Sequence, residues 1–67
     1  MDDKAQIQQA YGAMIQLLFK VFFESFTAAH GDSEQERSAE ERFKGGIAHA
    51  RHIRDRAIAL LPPGASV

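Results

Sequence analysis

Residues 14–26 read MIQLLFKVFFESF, and this stretch decides the fold. Its apolar side chains recur at spacings of three and four, the period of an α-helix that buries one side. Gln16, Lys20 and Glu24 interrupt it, so the segment is too short and too charged to span a bilayer. Outward from it, residues Lys4 to about Ala29 contain no proline and no cluster of turn formers. Ile7, Tyr11, Met14, Leu18, Val21 and Phe22 fall on one side of this helix, and Ser25 and Ala29 continue it. Gly12 is the weak position, costing about 1 kcal/mol relative to alanine in an exposed helix. His30-Gly31 then supplies a stop, since glycine takes a left-handed conformation without strain.

Two start signals follow. Ser33 with Glu36 and Ser38 with Glu41 each have capping-box spacing. The continuous second helix is placed from about Ser38, with Asp32 to Arg37 read either as its first turn or as an ordered loop. Glu34, Glu36, Glu40 and Glu41 lie toward the start of this region and Arg51, Arg54 and Arg56 toward its end, an order that complements the helix dipole. Pro62-Pro63-Gly64 ends it, because proline lacks the amide donor and restrains the residue before it.

Ala39, Phe43, Gly46, Ile47, Ala50, Ile53, Ala57 and Leu61 share one face of the second helix. Gly46, Ala50 and Ala57 let another helix approach closely. A short connection makes the two helices antiparallel neighbours. The sequence therefore predicts an all-α antiparallel two-helix hairpin in a single domain: helix about 4–29, turn about 30–37, helix about 38–61 and a flexible tail over 62–67.

A hairpin alone does not satisfy this composition. The chain has 67 residues, close to the lower limit for independent folding, and no cysteine to supply a disulfide or a thiolate metal site. At about 100° per residue, Phe19, Phe23 and Phe26 lie roughly 80 to 140° to one side of Leu18 and Leu17 roughly 100° to the other. One narrow helix cannot cover so wide an apolar sector, and each large side chain left in water forgoes roughly 1.5 to 3 kcal/mol. Dimerisation into a four-helix bundle is the expected remedy, with Leu17, Phe19, Phe22, Phe23 and Phe26 at the interface.

Chemistry is harder to find. His49 and His52 are three apart on one helix and form an incomplete pair of metal ligands, without a third ligand in an established spacing. No cofactor is expected. Arg42 to Arg56 carries five basic residues against Asp55, and Arg51, Arg54 and Arg56 are the candidate surface for a partner or an anion. A solvated charged face explains the same residues. Arg54 stands out, since it falls about 40° from the centre of the second helix's apolar face, at a level near Tyr11. It either extends from the core edge into water, stacks on Tyr11 or pairs with a carboxylate of another subunit. The serines have capping or packing explanations, and no nucleophile, paired-carboxylate or phosphate-loop constellation is present. An enzyme is therefore disfavoured.

The formal net charge of −1 and the absence of a helix-turn-helix or zinc pattern disfavour nucleic acid. The acidic start Met1-Asp2-Asp3-Lys4 does not resemble a secretory signal. These features predict a cytoplasmic, homodimeric interaction or scaffolding protein with room for an unidentified protein partner. The alternatives are a small-anion or metal-binding helical bundle and a non-catalytic subunit of a larger complex.

Overall fold

The computed structural model describes residues 2–62. It is an all-α hairpin: α1 spans Asp3–Ala28, α2 spans Ser33–Ala59, and the two pack antiparallel. Asp2 caps α1, its carboxylate accepting from the Lys4 amide at 3.0 Å. The helix ends at Ala29, whose amide reaches the carbonyl of Phe26. Both following residues are left-handed, Gly31 at φ 83° and His30 at φ 49°. Only the glycine adopts that region without strain.

Asp32 starts α2. Its carboxylate accepts from the amides of Glu34 and Gln35 at 3.0 and 3.1 Å, and its carbonyl accepts from Glu36 at 2.9 Å. The segment 33–37 is thus helical, and α2 begins five residues ahead of the Ser38 start read from the sequence. Neither serine caps the helix. Ser33 is the first helical residue and Ser38 lies inside α2, because the aspartate one position earlier already satisfies two of the free amides at the helix start. At the other end Leu60 caps α2 through its amide, which reaches the Arg56 and Ala57 carbonyls. The tail expected over 62–67, and the stop assigned to Pro63 and Gly64, lie outside the described residues apart from Pro62.

Three cross-helix contacts set the register. Leu18 packs on Gly46, where a Cβ would lie only 2.7 Å from Leu18 Cδ2. The Phe22 and Phe43 rings are 4.8 Å apart, and the Arg54 guanidinium lies 4.5 Å from the Tyr11 ring centroid. Each pair of residue numbers adds to 64 or 65, so residue n of α1 stands level with about residue 65 − n of α2.

The Cα extents are 50 × 17 × 9 Å. A thickness of 9 Å is that of one helix layer, so among the described residues neither broad face of the hairpin is covered by another element. Burial reflects this. Among the described residues only Ala29 and Ala39 are buried hydrophobics, at 5% and 2% exposure, and no large side chain is fully enclosed. Met14, Val21 and Ile53, assigned to the inner faces by periodicity, are instead exposed. Aromatic and guanidinium groups occupy the seam at Phe22–Phe43 and Tyr11–Arg54, and Met14, Val21 and Ile53 lie beside it along open clefts that no second layer covers.

Candidate functional site

On α1 the apolar sector is wider than the seam and spills onto both flanks. Phe19 and Phe23 point away on one flank, 54% and 60% exposed, with their ring centroids 6.4 Å apart. Together with Phe22, Phe26 and Thr27 they border a shallow cleft. Leu17 projects from the opposite flank and is 56% exposed. Of the five candidate interface residues, Phe22 and Phe26 are half-buried. Phe22 is engaged inside the hairpin, between Phe43 and the Phe26 ring 5.6 Å away.

The flank of α1 that carries Leu17 shares a face with one edge of α2. Val21 lines a cleft with Arg42, and Ala28 another with Ser38 and Arg42. Toward the open end of the hairpin this same face holds a groove of about 250 Å³ lined by Ile7, Met14, Ala50 and Ile53, with Tyr11 and Arg54 as its polar members. The Phe19–Phe23 flank therefore belongs to the other face, beside the α2 edge that bears Glu36, Glu40, Ile47 and Arg51, since these lie on the far side of the seam from Arg42 and Ser38.

Arg54 separates from the other two candidate arginines. Its Nη2 is 2.9 Å and its Nε 3.0 Å from Asp55 Oδ1, and its guanidinium rests on Tyr11. The side chain is 26% exposed. It is thus both stacked and partly wet, as two of its sequence readings require. Arg51 and Arg56 remain exposed. Arg54 is engaged by Asp55 and Tyr11, and at about 100° per residue Arg51 and Arg56 leave α2 on different sides.

His49 and His52 are exposed, and among the described residues no group of three or more histidine, cysteine, aspartate or glutamate side chains is placed to hold a metal ion. No described helix is long and apolar enough to cross a membrane. The groove near Tyr11 offers apolar wall without a nucleophile, an acid or a base. The surface residues missed by sequence reasoning are Met14, Val21, Ile53 and Leu60, all exposed. Their periodicity placed the first three within the seam, whereas Leu60 falls at the end of α2 where the helix ladder stops.

No family model, no curated protein and no solved structure matches the chain. What can be said of its role rests on the hairpin itself.

Proposed function

We propose that this chain is a self-associating interaction or scaffolding element: a homodimer of helical hairpins forming a four-helix bundle. One observation carries the reading. Seven large apolar side chains, Phe19 and Phe23 among them, stand exposed, while the buried hydrophobic core of the described chain consists of two alanines.

The magnitudes support it. The hairpin exposes 5230 Å², whereas a compact monomer of 7.4 kDa exposes about 4,200 Å². The excess, about 1,000 Å², is comparable to the roughly 800 Å² that each partner contributes to a standard protein interface. Domain stability is the small remainder of large opposing terms, and a single layer of two helices lacks the burial that offsets chain entropy. Pairing two layers encloses one broad face of each without any new element.

Sedimentation equilibrium over a wide concentration range tests this. The expected mass is about twice 7.4 kDa, with an unfolding midpoint that rises with protein concentration. A folded monomer at every concentration would refute self-association and point to a different protein as the covering partner.

A further inference from the structure

We propose that the second copy docks head to tail through the Phe19–Phe23 face, with a two-fold axis crossing α1 near Phe19 and α2 near Gly45. This rests on the self-association proposed above and adds its face, direction and register.

The argument begins with the order of charge along α2. On the edge beside the phenylalanines, Glu36 and Glu40 come first and Arg51 last. Among the described residues Glu36, Glu40 and Arg51 make no ion pair within the chain. The spacing is self-complementary. Glu40 and Arg51 are placed symmetrically about the point between Gly45 and Gly46. Two α2 helices laid antiparallel about that point bring Glu40 to the partner's Arg51, and the two-fold repeats the pair in reverse.

The same axis gives α1 a matching register. Residue 45 of α2 stands level with residue 19 or 20 of α1, so Phe19 meets the partner's Phe19. Phe26 then lies opposite the partner's Gly12 and Phe23 opposite the partner's Ile15, all on one flank of the helix. Gly12 has open space where a side chain would be, with nothing within 4 Å of a Cβ built there. Away from the Phe19 pair on the axis, large rings are thus set against small or aliphatic positions, the alternation that lets facing layers interdigitate.

The competing two-fold, parallel to the helices, joins the closed ends. It lays Glu36 and Glu40 beside the partner's Phe23 and Phe26 and gives Arg51 no acid, because Asp3 and Glu24 of α1 lie on the other flank. Like charge gathers at each end, and the carboxylates lose water without gaining a partner.

Two measurements on the full chain decide the matter. The protein has no cysteine, so Ser33→Cys places a single spin label beside the turn. Head-to-tail docking sets the two labels about 37 Å apart along the bundle axis, and pulsed dipolar spectroscopy is expected to give a separation of roughly 35 to 45 Å. A dimer with a separation below about 25 Å overturns the direction and leaves self-association standing; a monomeric mass removes both. In the second measurement, Glu40→Arg and Arg51→Glu are each expected to raise the dimer Kd roughly tenfold or more at low ionic strength. An equimolar mixture of the two variants recovers both pairs in one heterodimer and returns affinity to within a few-fold of the starting protein. Absence of recovery on mixing overturns the register.

Discussion

Leu18 fills the space beside Gly46, its Cδ2 methyl 2.7 Å from where a Cβ on residue 46 would stand. The neighbouring Gly45 has nothing within 4 Å of the equivalent position. Adjacent glycines in one helix therefore have opposite surroundings, and only one of them needs to be glycine for packing. Gly45→Ala is expected to stabilise the protein by about 0.5–1 kcal/mol through helix propensity. Gly46→Ala forces Leu18 to rotate and recovers less of that gain, and Gly46→Ile separates the helices and lowers stability. Urea unfolding at one fixed concentration measures all three; equal gains at 45 and 46 would show that Leu18 does not pack there.

Asp32 is the sole side-chain cap of α2, accepting from both Glu34 and Gln35. Asp32→Ala is expected to lower stability by about 1 kcal/mol, whereas Ser33→Ala and Ser38→Ala change it by a few tenths. Thermal unfolding of the three variants checks the assignment. A larger loss at Ser38 than at Asp32 would move the helix start back to the later serine.

Tyr11 and Arg54 tie the open end of the hairpin, where no turn holds the helices together. Replacing them by Tyr11→Leu and Arg54→Met, singly and together, defines a double-mutant cycle. The expected coupling is about 0.5–1 kcal/mol for a stacked guanidinium at a partly exposed site. Additive effects would mean that the ring and the guanidinium act independently.

The two flanks of α1 are distinguishable by substitution. Phe19→Asp places a charge in the centre of the proposed dimer face and is expected to weaken association at least about 100-fold, or some 2.7 kcal/mol. Leu17→Asp, on the opposite face, is expected to change it by less than about tenfold. Sedimentation velocity reads both. The reverse order would assign the interface to the Leu17 face.

Much of the fold was legible in local sequence. The three-and-four spacing around residues 14–26 marks α1 whatever it packs against, and His30-Gly31 marks its end because a left-handed residue cannot continue the helix. Gly46 was recognisable as a point of close approach, and Arg54 as a residue level with Tyr11. The start of α2 was less clear, since Asp32, Ser33 and Ser38 are all competent caps and the choice depends on how the turn delivers the chain. Asp32 prevails where its amide bonds back to the Ala29 carbonyl at 2.9 Å, which aims its carboxylate at the next turn.

The sequence by itself determined two helices, their antiparallel pairing and an apolar surface too broad for one partner helix, because these follow from periodicity, turn chemistry and a short connection. Only the tertiary structure decided which apolar side chains the seam accepts. Two cylinders touch along a narrow line; the Phe22–Phe43 rings and the Tyr11–Arg54 stack lie on it, and Met14, Val21 and Ile53 stay exposed beside it along with Phe19 and Phe23. Periodicity gives each residue an angle on its own helix; where that angle points is fixed by the rotation at which the two helices settle against each other.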